Sequence, residues 1–138
     1  MQTMMSSSAI AERLRTAGLR PTRQRLALGA LLFGSGADRH VTAEQLHDEA
    51  VARGTRVSLA TVYNTLNQFT AAGLLREVLV GPGRLYFDTN VGDHHHFYVE
   101  GDGTLLDIPA DHVSIARLPA APAGMSVERV DVVVRVRR

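Results

Sequence analysis

Along the first half of the chain, apolar residues return every three to four positions, the period of an amphipathic helix. The first such run covers 9–17, with Ile10, Leu14 and Ala17 on one side, Ser8 as its cap and Gly18 as its stop. The break Arg20-Pro21-Thr22 follows, and Thr22 caps a second helix to about residue 32. Leu26, Leu28, Ala30, Leu31 and Leu32 supply its apolar surface. Residues 34–40 are a loop. Thr42-Ala43-Glu44-Gln45 is a capping box, in which the Thr hydroxyl and the Gln amide each satisfy a backbone N–H near the other. It opens a third helix that reaches residue 52, with Ala43, Leu46 and Ala50 inward. The fourth helix is the clearest. Ser58 caps it, Leu59, Val62, Leu66 and Phe69 share one face, and Gly73 ends it.

Beyond Gly73 the period shortens towards two. Residues 74–80 and 84–88 predict two strands about the turn Gly81-Pro82-Gly83. Phe97-Tyr98-Val99 predicts a third strand, and the turn 100–104 leads to a fourth over 105–108. A weak helical stretch, 111–116, precedes the linker Pro119-Ala120-Ala121-Pro122-Ala123-Gly124. The last segment alternates, with Val130, Val132, Val134 and Val136 on one face and Arg129, Asp131 and Arg135 on the other. An edge strand of that kind invites pairing with another chain. The predicted fold is α+β: a winged helix-turn-helix domain over 1–84, then a small α/β domain over 85–138 that is too thin to cover its own sheet and dimerises.

Composition narrows the chemistry. No cysteine is present among the 138 residues, which excludes disulfides, thiolate nucleophiles and Cys-held zinc or iron–sulfur clusters. No apolar run approaches the roughly 20 residues that span a bilayer, and 1–8 lacks the pattern of a signal peptide. That segment is expected to be a frayed tail, and the chain to work in the cytoplasm without a membrane. All 15 cationic side chains are arginine, and the net charge is only +1. The charges are unevenly spread. Residues 1–84 hold ten arginines against six acids (+4), and residues 85–138 hold five against eight (−3). A basic first part and an acidic second part fit a nucleic-acid-binding domain followed by a metal-binding one.

Two constellations carry candidate chemistry. The fourth helix has an apolar side for its scaffold and a nearly uncharged polar side, Thr61, Asn64, Thr65, Asn67 and Gln68. That division suits a helix lying in the DNA major groove, about 12 Å wide. Thr61, Asn64 and Gln68 are the candidates for base edges, and Tyr63 is placed to meet a thymine methyl or to donate to phosphate. Arg20, Arg23, Arg25 and, on the wing, Arg84 are candidate phosphate clamps. Cations in the first turn of a helix oppose its dipole, a cost that a phosphate at that end would remove.

The second constellation is His94-His95-His96, with Asp88 and Asp93 nearby. On a strand His94 and His96 point one way and His95 the other. Such a run can serve two coordination spheres, or one metal sphere and an axial ligand for haem. Histidines with carboxylates also occur in catalytic zinc and non-haem iron sites. A metalloenzyme would leave the winged helix unexplained, however, and no nucleophile motif or general base stands out. A metal-buffering or protein-interaction module is the other alternative to a regulator.

Gly18-Leu19-Arg20-Pro21-Thr22-Arg23-Gln24-Arg25, His40-Val41-Thr42-Ala43-Glu44, Leu59-Ala60-Thr61-Val62-Tyr63-Asn64-Thr65-Leu66 and Phe87-Asp88 with the triple histidine resemble the ferric uptake regulator (Fur) superfamily. Within it the chain resembles the iron response regulator (Irr) branch, to which Tyr86-Phe87-Asp88-Thr89-Asn90-Val91 and the ending Asp131-Val132-Val133-Val134-Arg135 also point. The resemblance implies a homodimeric or higher-oligomeric transcriptional regulator or repressor of iron and haem metabolism genes, binding operator DNA under control of metal and haem. Matching positions imply a metal site for iron, manganese or zinc at His40, Asp88, His96 and Asp107, with His94 as an added ligand. Asp stands at 88 and 107 where the family usually has Glu. The family's second metal site aligns with Asp93, His95, Ser114 and about Val130, and the last two cannot serve as its ligands. The Cys pair of many relatives and the Cys-Pro haem motif of some are absent, so the implied haem ligands are His94, His95 and His96.

Overall fold

A computed structural model describes residues 4–81 and 83–138. The expected fraying of Met1–Thr3 and the Pro82 position of the expected turn lie outside the described residues. The chain forms two compact units, Met1–Val91 and Gly92–Arg138.

In the first unit, helices α1 (Ser7–Thr16), α2 (Arg23–Phe33), α3 (Ala43–Ala52) and α4 (Leu59–Ala71) are capped by Ser6, Thr22, Thr42 and Ser58. Three of these caps were legible in the sequence. The first is shifted: Ser6 accepts from the Ala9 amide at 3.1 Å, so Ser7 and Ser8, expected in a tail, are helical. The Thr42/Gln45 box is complete, with bonds of 2.9 and 3.1 Å. Gly73 ends α4 at φ 81°, a left-handed conformation costly for other residues, and Leu74 N then reaches back to Phe69 O.

The helices close on one core, built from Ile10, Leu14, Leu28, Leu32, Leu46, Val62, Leu66 and Phe69. The Phe33 and Phe69 rings stand 6.1 Å apart within it. Three expected positions differ: Ala30 is exposed, Leu59 lies at the surface of the first turn of α4, and Thr65 is buried with its hydroxyl on Thr61 O. The last leaves Thr61, Asn64, Asn67 and Gln68 as the outward polar residues of α4.

Two antiparallel strands, β2 (Arg76–Gly81) and β3 (Arg84–Asp88), form the wing. A two-residue strand starting at the last residue of the expected loop, β1 (His40–Val41), pairs with the other edge of β3 and makes a sheet of order β1-β3-β2. Its register sets His40 opposite Asp88 and Val41 opposite Phe87. Arg39 anchors this strand by two bonds to the Glu49 carboxylate (3.0 and 2.7 Å) and one to Leu31 O, while its amide donates to the Thr89 hydroxyl and its carbonyl accepts from the Thr89 amide. Because β3 hydrogen-bonds on both sides within this sheet, the first compact unit runs past the expected boundary at 84/85 to Val91.

The second unit is a sheet of order β5-β4-β6: β4 (His94–Glu100), β5 (Thr104–Pro109), antiparallel to it, and β6 (Val133–Arg137), parallel. At the β4–β5 turn, Asp102 accepts from the Thr104 amide and from Arg138 Nε. Those bonds hold its carboxyl down at about 2, the Arg138 guanidinium being the larger cause. The weak helix expected over 111–116 is only a 3-10 turn, Ala110–His112, and residues 113–132 run as irregular, mostly exposed chain. No side chain caps that turn, and Val113 and Ile115 are β-branched, which disfavours helix. The expected terminal strand is confined to 133–137. Among the described residues, no helix is long and apolar enough to cross a membrane.

Candidate metal centre and nucleic-acid face

Each unit carries imidazoles paired with carboxylates, and sheet register explains both. In the first unit, His40 and Asp88 are directly opposed on β1 and β3, close enough for side chains to touch. His40 Nε2 lies 3.3 Å from Asp88 Oδ2, and the other Asp88 oxygen accepts from the Asn90 amide at 2.8 Å, which fixes the carboxylate plane. Asp88 is fully buried and His40 half-buried.

In the second unit, the alternation of β4 puts His94 and His96 on one face, as the sequence predicted. They are only 4 % and 2 % exposed. His96 sits opposite Asp107 of β5, so Asp107 Oδ1 lies 3.5 Å from His96 Nε2 and 3.4 Å from His94 Nε2. The two rings meet edge to face, with centroids 4.5 Å apart. His94 Nδ1 is 2.7 Å from Gly92 O. A carbonyl only accepts, so Nδ1 carries a proton and Nε2 is the nitrogen left to face Asp107. A ligating histidine needs that tautomer. His95 is turned to the opposite face, where its Nδ1 accepts from the Val132 amide at 3.0 Å and tethers the chain entering β6.

Two of these supports escaped the sequence: Gly92 acts through its carbonyl, and β1 exists only because β3 lies beside it. The Asp93 side is exposed, and Ser114 and Val130 lie in or near the irregular run, Ser114 exposed and Val130 half-buried.

The nucleic-acid candidates all lie in the first unit and are exposed or half-buried: Arg20, Arg23, Arg25, Thr61, Tyr63, Asn64, Gln68 and Arg84. Arg20, Arg25, Thr61, Asn64 and Gln68 line one open cleft of about 420 Å³ between the start of α2 and the outer face of α4. Arg25 donates to Gln68 Oε1 from Nε (3.3 Å) and Nη2 (3.0 Å), and from Nη1 to Arg20 O (2.9 Å). Tyr63 lies apart from the cleft, its hydroxyl donating to Glu44 Oε1 at 2.7 Å. That bond lowers the Glu44 carboxyl and raises the Tyr63 phenol from their ordinary values.

A winged helix-turn-helix followed by a small sheet module bearing His/carboxylate pairs defines an α+β architecture with its candidate chemistry in two places. The family profile described as "Ferric uptake regulator family" matches residues 16–134. The chain therefore belongs to the ferric uptake regulator family, whose members are transcriptional regulators and not enzymes. It is 34 % identical over 94 residues to the peroxide-responsive repressor PerR of Staphylococcus epidermidis, covering 68 % of this chain and 61 % of that protein. It is 35 % identical over 95 residues to the ferric uptake regulation protein of Bordetella parapertussis, covering 68 % of each. The chain thus spans about three-fifths to two-thirds of the length of these curated relatives. The structure of the Pseudomonas aeruginosa ferric uptake regulator with manganese superposes with a TM-score of 0.69 at 27 % identity, covering 97 % of this chain and 98 % of that one.

Proposed function

We propose that this chain is a cytoplasmic, metal-responsive transcriptional regulator that binds operator DNA as a homodimer through α4 and its wing. In this reading one divalent ion is held jointly by His40 and Asp88 of the first unit and His94, His96 and Asp107 of the second. The observation that carries it is the clustering of imidazoles on carboxylates: buried His94 and His96 each bring Nε2 within 3.5 Å of one Asp107 oxygen, and His40 Nε2 lies 3.3 Å from Asp88.

The donor set fits such an ion: three imidazole nitrogens and two carboxylates suit Fe, Mn, Co or Zn without choosing among them. Only five residues join Asp88, the end of β3, to His94, the start of β4. When bound, the ion supplies a link between the units and so fixes the spacing of two recognition helices, which must match half-sites about one turn of DNA apart or a multiple of it. Shorter Asp side chains, in place of the family's usual Glu, demand a closer approach of the two strands to the ion. The test is metal content of untagged protein beside gel-shift titration of duplex DNA in chelator and after addition of each metal. His96→Ala and Asp88→Asn should lose both metal and metal-dependent binding. Wild-type metal content in both variants would defeat the assignment.

The homodimer is supported by the second sheet. Its face away from His94 and His96 presents Phe97, Leu106 and Val134, with Leu106 49 % and Val134 38 % exposed. A parallel pair is normally covered by a crossover helix, and here the crossover is irregular chain. A second copy is the cover that two-fold operator symmetry would favour.

The resemblance to the iron response regulator branch adds a finer reading, that haem also reports iron status. The structure favours separate work for the three histidines within it, because His95 alone faces away from Asp107. With Nδ1 accepting from Val132, the His95 Nε2 of a neutral ring holds the proton. His95 can offer Nε2 to haem iron only by giving up that backbone bond, which loosens the start of β6. Soret titration of His95→Ala beside the His94/His96→Ala double variant tests this. Unchanged haem affinity in both would defeat it.

A further inference from the structure

We propose that Gln68 contacts DNA as a hydrogen-bond donor only, its acceptor oxygen being occupied by Arg25 before any duplex arrives. The inference rests on the reading of the first unit as DNA-binding and specifies how that unit discriminates bases.

A guanidinium has five N–H donors and no acceptor. Arg25 aims two of them, Nε and Nη2, at one atom of Gln68, and a nitrogen in that place would face N–H against N–H. The chemistry therefore assigns that atom as Oε1 and turns the amide nitrogen the other way. Nη1 is fixed in turn on Arg20 O, so the guanidinium is held at both ends. Among the described residues, nothing accepts from Gln68 Nε2. Gln68 follows Thr61 by seven residues and Asn64 by four, on the same exposed side of α4, and all three line the open cleft.

A glutamine free to rotate matches adenine, donating to N7 and accepting from the N6 amino group. Held by Arg25, Gln68 keeps only the donating half of that match. Its N–H groups suit guanine, whose O6 and N7 both accept, or thymine O4. Cytosine, whose N4 amino group donates, is opposed. Arg25 is on this account a positioning residue, acting through Gln68, and not the phosphate clamp that its place in the sequence predicts.

The test uses the full chain loaded with metal and a random-sequence duplex pool, selected by gel shift and sequenced, for wild type, Gln68→Glu and Arg25→Met. Gln68→Glu keeps an oxygen for Arg25 but offers the groove acceptors alone. Preference at one base pair should turn to cytosine, with the rest of the selected sequence unchanged. Arg25→Met releases the amide, and adenine at that same pair should gain about five- to hundredfold over wild type, the range expected for one bidentate base contact. The salt dependence of affinity should be the same for Arg25→Met as for wild type, whereas losing a phosphate contact would reduce its slope by about one. Thermal unfolding confirms that each variant is folded, and either variant alone suffices. An enriched wild-type sequence that stays unchanged in both variants, or a uniform loss of affinity with a reduced salt slope, would overturn the proposal. A wild-type pool with no enriched sequence would overturn the DNA-binding reading and this inference with it.

Discussion

Tyr63 shows how one neighbour decides what a side chain can offer. The sequence put it on the outer part of α4 to meet a thymine methyl or to donate to phosphate, but its proton is committed to Glu44. It is left with an accepting oxygen and a ring face. The pairing also has a definite pH window. Glu44 is lowered chiefly by the Tyr63 hydrogen bond, so its contribution is present above the ordinary value of 4.5 and fades as pH falls through the lowered one. Tyr63 is raised chiefly by Glu44, so its contribution is full below 10.0 and fades as pH climbs through the raised value. Glu44 is exposed and Tyr63 half-buried, with the bond itself at the surface, which limits it to under about 1 kcal/mol. Denaturant unfolding of Tyr63→Phe should show that small deficit at pH 7 and a smaller one at pH 3. A deficit equal at both would mean that packing, not the bond, was lost. The alternation of the three histidines was legible at this scale because strand geometry fixes it. Their tautomers were not, because these depend on Gly92 O and the Val132 amide, placed by turns and pairings outside the run itself.

Among the elements, the helices were the most legible, because start signals, stop signals and apolar stripes all lie within a few residues of one another. The α3 box is the clearest instance, and Thr42→Ala should cost about 1 kcal/mol in chemical denaturation. Leu66, fully buried at the centre of α4, should cost about 2–5 kcal/mol as Leu66→Ala. A loss under 1 kcal/mol there would mean that the core closes around the gap. Legibility failed where an element depends on a distant partner or lacks one. β1 is two residues long and owes its existence to β3, more than forty positions away in sequence. The stretch 111–116 had a faint helical pattern, but without a cap and with two β-branched residues it gives only the end of a 3-10 turn and then irregular chain.

For the whole molecule, the charge division between the halves was visible in composition, while the end of the first compact unit at Val91 required the wing to be seen paired on both edges. The homodimer proposal makes a prediction at this scale. Leu106→Glu should shift the chain to monomer in sedimentation equilibrium, and it should weaken operator binding without removing metal. A dimer as tight as wild type would place the interface elsewhere.

The strand β6 reaches its place beside β4 only after some twenty residues of irregular chain, and at its entrance the Val132 amide rests on His95, 37 positions earlier. Closing so long a loop for so short a strand makes this the edge of the sheet expected to open first, since the entropy of the tether opposes its ladder with β4 and the surface pairs Arg135–Glu100 and Arg138–Asp102. In hydrogen–deuterium exchange, the amides of 133–137 should therefore label before those shared by β4 and β5. Replacing His95 should speed that labelling further while leaving the four helices at their native rates.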